Sequence, residues 1–293
     1  MAAISKALVL GGKRGMLGAA LAKALQAKGW EVTALDGSDI DYFSSNLSDV
    51  LAEAVDRLAP NCVFNAAGYT DVEKAEQEPE EAAALNRSLP AALGRALRER
   101  PARLVHYSTD FVFDGRKKTP YTIDDLPNPI SVYGRTKYEG EQAILSLGLA
   151  RFCIIRTAWL YGFGKKNFVS KILDICREKK NIAVVYDQIG SPTYAADLAK
   201  HSVELVELGG NGLFHIVNSG QANWSELASE AVNYLQMECQ ITPVTAQEFA
   251  SKVQRPAYSV LDCTSFTQST SVTPRPWPQA LREYLMLEFP DGF

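Results

Sequence analysis

Tyr133 and Lys137, in the run Val132-Tyr133-Gly134-Arg135-Thr136-Lys137, carry the most definite chemistry in this chain of 293 residues. Four residues apart, they lie one above the other on one face of a helix. A phenol, with a reference pKa of about 10, is a poor acid or base near neutrality. An ammonium held beside it favours the phenolate and brings the group towards working pH. The spacing suits a proton-transferring tyrosine, and it also suits an ordinary surface helix. The surrounding elements decide between the two.

Those elements read as repeated strand and helix. Lys6 to Leu10 is a short apolar run of the buried-strand kind, ending in glycines. Gly12-Lys13-Arg14-Gly15-Met16-Leu17-Gly18 follows, and Leu17, Leu21 and Leu25 then recur at helical spacing up to Gly29, a helix stop. Between strand and helix, such a turn lets backbone approach a pyrophosphate, whose charge is met by free N–H groups at the helix start. Trp30 to Leu35 reads as a second strand closing on Asp36. A carboxylate there, about 20 residues past the glycines, would accept hydrogen bonds from an adenosine ribose and favour NAD. Lys13 and Arg14 pull the other way, towards a 2′-phosphate, and all three residues also suit solvent-facing charge.

Further along, Leu47, Leu51, Val55 and Leu58 mark a helix, and Cys62 to Gly68 a strand ending in small residues that leave room for a ligand or make a plain turn. Glu80 to Arg100 is expected to be helical, bent or broken at Pro90. Arg103 to Tyr107 is the next strand, running into Ser108-Thr109-Asp110. Thr109 can donate a hydrogen bond to a substrate oxygen or serve as a cap. Pro120 to Pro129 is a loop, and Phe152 to Ile155 a strand. Phe168 to Arg177 follows as helix, Ile182 to Tyr186 as strand, Ala196 to Glu207 as helix and Phe214 to Val217 as the last strand of the main sheet. Trp159 is placed to pack on a sugar face or to fill core. Arg255, before a proline and therefore in extended or loop structure, is placed to meet a diphosphate or a surface acid. From Gln221 onward the strand–helix rhythm is lost.

Composition narrows the class. The net charge of -4 argues against a nucleic-acid or anionic-membrane partner. Five scattered cysteines (Cys62, Cys153, Cys176, Cys239 and Cys263), with no CxxC, fit reduced thiols in a cytoplasmic protein better than a disulfide framework or zinc site. None of His106, His201 and His215 makes a metal-binding pair with another. The apolar start at Ala7 to Leu10 is too short for a signal h-region, and no stretch is apolar and long enough to cross a bilayer.

The glycine turn, Asn65-Ala66-Ala67, Ser108-Thr109-Asp110 and Tyr133-x-x-x-Lys137 come in the order of the extended short-chain dehydrogenase/reductase superfamily. Within it the chain resembles the dTDP-4-dehydrorhamnose reductase family. The likeness is carried by Asn65 to Glu76, Ser108 to Gly115, Asn128 to Gly134, Arg156 to Gly162, Asn167-Phe168-Val169, Asp187 to Thr193 and Arg255 to Asp262. Phe111 departs from the tyrosine common in that family, and Tyr258 from its usual asparagine.

The resemblance implies an α/β fold: a Rossmann-type doubly wound parallel sheet with a smaller C-terminal substrate-binding cap. It assigns residues 1–162 and about 193–218 to the dinucleotide-binding domain, and about 163–192 and 219–293 to the cap. It implies reduction of dTDP-4-dehydro-β-L-rhamnose to dTDP-β-L-rhamnose with NADPH or NADH, NADPH slightly favoured. Tyr133 would be the general acid, with Lys137 lowering its pKa and binding the nicotinamide ribose, and Thr109 holding the C4 oxygen. The cofactor would lie on Gly12, Lys13, Arg14, Gly15, Met16, Leu17, Asp36, Asp41, Ala66, Ala67, Tyr69, Tyr133 and Lys137. The nucleotide sugar would meet Thr109, Asp110, Phe111, Tyr133, Trp159, Asn167 and Arg255. Mg2+ and a homodimer, both described for family members, stay open, and no residue is assigned to a metal. Two other readings share the motifs: a non-catalytic regulatory subunit like that of methionine adenosyltransferase, and a reductase or epimerase for another nucleotide sugar.

Overall fold

The computed structural model describes residues 5–249 and 253–290. Its main sheet is built from β1 (Lys6–Leu10), β2 (Glu31–Leu35), β3 (Cys62–Asn65), β4 (Arg103–Thr109), β5 (Phe152–Thr157) and a last strand at Gly212–His215. All pairings are parallel, and the order across the sheet is β2-β1-β3-β4-β5 and then the last strand. Strand residues alternate between two apolar layers. Val9, Phe64, Val105 and Ile155 meet Leu17, Leu21 and Leu25 of α1 (Met16–Ala27) and Leu198 and Val203 of the Ala195–Glu207 helix. Leu8, Val63, Leu104 and Ile154 meet Leu51 and Val55 of α2 (Leu47–Leu58), Leu89 and Leu93, and Ile144 of the Val132–Leu145 helix. A sheet buried on both faces needs this near-continuous run of apolar residues.

The chain leaves β1 for β2 on one side and returns to β3 on the other. That reversal opens a crevice at the carboxyl ends of β1 and β3, the place where ligands bind in open parallel sheets. The strand and helix boundaries expected from the sequence hold to within a few residues, and one expectation is corrected. Of the bend or break expected at Pro90, the break does not occur and the helix is distorted just before the proline. The helical path runs through a π turn at Ala84–Ser88 into Leu89–Leu97, so the turn before the proline widens where its missing N–H removes a bond.

A separate apolar cluster joins the Phe168–Glu178, Trp224–Tyr234 and Trp277–Glu288 helices through Leu173, Leu227, Leu281 and Tyr284. Within it, Asn181–Val185 pairs in parallel with Gln240–Val244, a strand lying in the stretch read from sequence as helix and loop. Among the described residues no helix is long and apolar enough to cross a membrane. The five cysteines are free thiols.

Candidate active site

A cleft of about 850 Å3 runs from the ends of β1 and β3 to the second apolar cluster. Its floor at one end is the glycine turn. A Cβ on Gly18 would stand 2.0 Å from the Gly11 carbonyl oxygen, so only glycine lets α1 start this close to β1. The helix begins at Gly15 with no side-chain cap and no acid in its first turn, leaving its first N–H groups free for an anion. Asp36 lines the same end and accepts the Lys13 backbone N–H at 3.1 Å. The Lys13 ammonium is drawn away to Asp39, 2.5 Å distant, whose carboxyl it holds below the usual range. Arg14 lines the cleft.

The centre of the cleft holds Thr109, Tyr133 and Lys137. Ser131 caps the Val132–Leu145 helix by accepting the Gly134 N–H at 3.1 Å. Gly134 has no room for a side chain, since its Cβ would lie 2.2 Å from the Phe111 carbonyl. That contact brings the helix down onto the turn after β4 and sets Tyr133 edge-on to Phe111, with ring centroids 5.5 Å apart. Tyr133 is in hydrogen-bonding contact with the Thr109 hydroxyl, which also accepts the Phe111 N–H at 3.2 Å.

One expectation is corrected here. The phenol of Tyr133 is not brought towards neutrality but pushed up to about 12, by burial and by the nearby Asp110 charge against the opposing Thr109 hydrogen bond. Lys137 donates instead to the Tyr107 carbonyl, and burial pulls its ammonium down to about 8 despite the opposing pull of Glu141. Asp110 is 1% exposed, receives the Ser259 hydroxyl at 2.5 Å and the Thr109 hydroxyl at 3.1 Å, and is pushed up to about 6 by burial.

The far end is aromatic. Trp159, with a left-handed backbone at φ 46°, stacks on Trp224 with centroids 3.5 Å apart and planes within 5°. The Trp224 indole donates to Gln188 at 3.2 Å, and Phe168 tilts against its ring at 4.5 Å. Lys165, Lys166 and Arg255 bring positive charge to the cleft walls.

Of the residues expected from sequence, Arg14, Gly15, Met16, Leu17, Asp36, Ala66, Ala67, Thr109, Asp110, Phe111, Tyr133, Lys137, Trp159, Asn167 and Arg255 line this one cleft. Four expected cofactor residues do not. Gly12 packs between Val9 and Ala34, Lys13 turns to Asp39, Asp41 accepts the Phe43 N–H in its own turn, and the Tyr69 hydroxyl is held by Glu78. Asn167 reaches the cleft with its side chain spent. Its oxygen accepts the Ser170 N–H in a capping box, and its amide donates to the Gly162 carbonyl and the Tyr284 hydroxyl.

Sequence reasoning missed Trp224, Leu227 and Lys165 on the walls and Asn86 behind them, and gave Ser108, named at the strand end, no role of its own. Asn86 stands in the π turn, accepts the Tyr69 N–H at 2.9 Å and donates to Thr136 at 3.1 Å, tying the loop after β3 to the tyrosine-bearing helix. Trp224 was legible only through Asn223 and Glu226, the capping box that starts its helix. A dinucleotide suits this cleft on the structure's own terms. Free N–H groups stand at a glycine turn, and the buried side-chain oxygens of Asn65, Ser108 and Thr157 on the cleft lining have no partner among the described residues. Among those residues no cluster of His, Cys, Asp and Glu is placed to hold a metal ion.

A family model, the RmlD substrate binding domain, matches residues 6–288. The chain is 36% identical over 284 residues to the spore coat polysaccharide biosynthesis protein SpsK of Bacillus subtilis, covering 96% of this chain and 97% of that protein. It is 36% identical over 273 residues to a dTDP-4-keto-6-deoxy-D-glucose reductase of Streptomyces niveus, covering 93% and 94%. The crystal structure of a dTDP-4-dehydrorhamnose reductase from Bacillus anthracis str. Ames in complex with NADP is similar with a TM-score of 0.92 at 30% identity, covering 97% of this chain and all of that one.

Proposed function

We propose a function from one premise: the chain belongs to the RmlD substrate binding domain family. The protein is a nucleotide-sugar reductase that reduces the 4-keto group of a dTDP-linked 6-deoxyhexose with NAD(P)H. Within that class its substrate is dTDP-4-dehydro-β-L-rhamnose and its product dTDP-β-L-rhamnose. The observation that supports this reading best is the meeting of the glycine turn, the Thr109–Tyr133–Lys137 group and the Trp159–Trp224 platform in one cleft.

When bound, the nicotinamide supplies the hydride that adds to C4. The chain's part is orientation and proton transfer. Gly15, Met16 and Leu17 offer N–H groups to the diphosphate, and Asp36 and Arg14 meet the adenosine ribose end. With Lys13 committed to Asp39, Arg14 is the cation left for a 2′-phosphate; the slight preference for NADPH is supported by the NADP that the Bacillus anthracis relative holds. The Thr109 hydroxyl, which otherwise donates to Asp110, turns its one proton to the C4 oxygen of the bound sugar, and the Tyr133 phenol gives its proton to the developing alkoxide. A phenol pushed up to about 12 is fully protonated at neutral pH, the form a general acid needs, and Lys137 serves the nicotinamide ribose. Residues 163–192 and 219–293 act as the cap that closes over the sugar nucleotide, with Trp159 and Trp224 against its rings and Lys165 and Arg255 at its diphosphate.

The test is loss of NADPH, then NADH, absorbance with dTDP-4-dehydro-L-rhamnose. Turnover that Tyr133→Phe reduces by about 10²–10⁴-fold, with cofactor affinity kept, supports the assignment. Full activity in that variant removes Tyr133 from the mechanism. The Streptomyces niveus relative favours a second reading, reduction of dTDP-4-keto-6-deoxy-D-glucose. Turnover of that sugar alone would replace the first.

A further inference from the structure

The helix that carries Tyr133 and Lys137 carries Glu141 one turn further on, facing the sheet. Glu141 is bound by Arg156 of β5 through two parallel hydrogen bonds of 2.9 and 2.7 Å. Both side chains are buried, at 1% and 3% exposure. The guanidinium is fixed on its other sides as well. The Phe113 ring lies under it at 5.1 Å, and the His215 Nε2 stands 3.5 Å from Nη1. Since Arg156 can only donate, His215 must accept through Nε2 and donate through Nδ1 to the Tyr121 carbonyl at 3.1 Å. One neutral tautomer satisfies both contacts, and burial together with the Arg156 charge holds the ring in that neutral form, down at about 3.

A pair as deeply buried as this is a weak source of stability, because removing two charges from water costs about as much as their attraction returns. Apolar side chains of similar volume would fill the same space without that cost. What the pair does have is its place on the helix: Glu141 is buried one turn beyond Lys137, on the same helix face. We propose that the Glu141–Arg156 pair is a positioning device for the reaction: the carboxylate is the counter-charge that keeps Lys137 an ammonium at the cleft floor, and Arg156 fixes that carboxylate in place.

The groups around Lys137 leave this role to Glu141. On β4, His106 is neutral, its pKa driven well down by burial and by the Lys137 charge itself, and Tyr107 offers its carbonyl. Asp110, after β4, is directed to Ser259 and Thr109. Arg156 on β5 is spent on Glu141, and His215 on the last strand is neutral. Gly68 and the Asn86 side chain, packed on the same side, carry no charge. On its own helix Lys137 has Tyr133, a neutral phenol, and Glu141, which alone opposes the downward pull of burial on its ammonium.

The test follows the titration of Lys137 by NMR of lysine labelled at Cε, its resonance assigned with Lys137→Arg, in the full-length wild type, in Glu141→Gln and in the double variant Glu141→Met/Arg156→Met. The double variant removes both members of the Glu141–Arg156 pair, so neither is left buried without the other, and thermal melting checks that it folds. A Lys137 midpoint lower by about one pH unit in both variants supports the proposal. An unmoved midpoint in Glu141→Gln, or a wild-type midpoint in the double variant, overturns it and leaves the pair a packing feature. The activity arm rests on the reductase reading: the alkaline limb of kcat/KM should move down by the same amount. A wild type that turns over no dTDP-4-keto sugar defeats that reading, while the NMR midpoint still judges the pair.

Discussion

Asp110 shows how the site depends on single residues. From sequence it was a carboxylate at a strand end; in the fold it is buried, and its hydroxyl partners come from Thr109 beside it and from Ser259, 149 residues away. Its folded pKa, near 6, lies above the value of about 3.9 for an unfolded aspartate. Such a group favours the folded state fully below the unfolded value and loses that contribution as pH rises through the folded one. Asp110→Asn should therefore stabilise the protein by about 1–3 kcal/mol at pH near 8 and by almost nothing at pH near 4, read from denaturation curves at both. A difference independent of pH would mean that the carboxyl is not carrying a buried charge. Tyr133 teaches the complementary lesson. Its type and spacing were legible, but whether the lysine or the burial dominates its proton affinity depended on where Lys137 finds its acceptor.

At the scale of elements, the Trp159–Trp224 stack joins a strand end of the main sheet to the first turn of a helix in the second cluster. A left-handed backbone at a tryptophan costs about 1–3 kcal/mol, and it persists when its surroundings over-determine it. Trp224 is that surrounding: its own ring is fixed by the Asn223 cap, by Gln188 and by Phe168. Trp224→Ala should raise KM for the nucleotide sugar by about tenfold, the loss of one aromatic contact, while the Kd for NADPH stays unchanged. Equal losses for both ligands would show that the stack supports the whole fold rather than one end of the cleft. The strands and helices themselves were readable because each announces its period locally. The π turn at Ala84–Ser88 was not, since Pro90 signals only a missing hydrogen bond and the neighbouring helix decides how the chain absorbs it.

For the whole molecule, the cleft draws its lining from Gly11 to Arg255, so its two ends are held together by the packing of the second cluster against the sheet. Arg255 and Glu73, at 3.4 Å, bridge the C-terminal segment to the loop after β3. Ligands that bind only this folded arrangement stabilise it by mass action, about 2.7 kcal/mol at a hundred times Kd. NADPH and dTDP should each raise the melting temperature, and Arg255→Ala should weaken the shift from dTDP while leaving that from NADPH intact. A dTDP shift unaffected by Arg255→Ala would move the diphosphate to the Lys165 side of the cleft.

The sequence by itself determined the alternating strand and helix, the glycine turn, the Tyr133–Lys137 pair and the family likeness, because each is written in residues close together along the chain. It also pointed to Trp159 and Arg255, through motifs rather than contacts. Tertiary structure alone decided that Lys13 goes to Asp39 rather than to the cleft, that Asn167 is spent as a cap, and that Trp224 stands behind Trp159. It alone also decided that Glu141, one helical turn beyond Lys137, is paired with Arg156. The reason is physical: a side chain's partner, its exposure to water and so its proton affinity depend on neighbours far away in sequence, and only the packed fold brings them within a few ångströms.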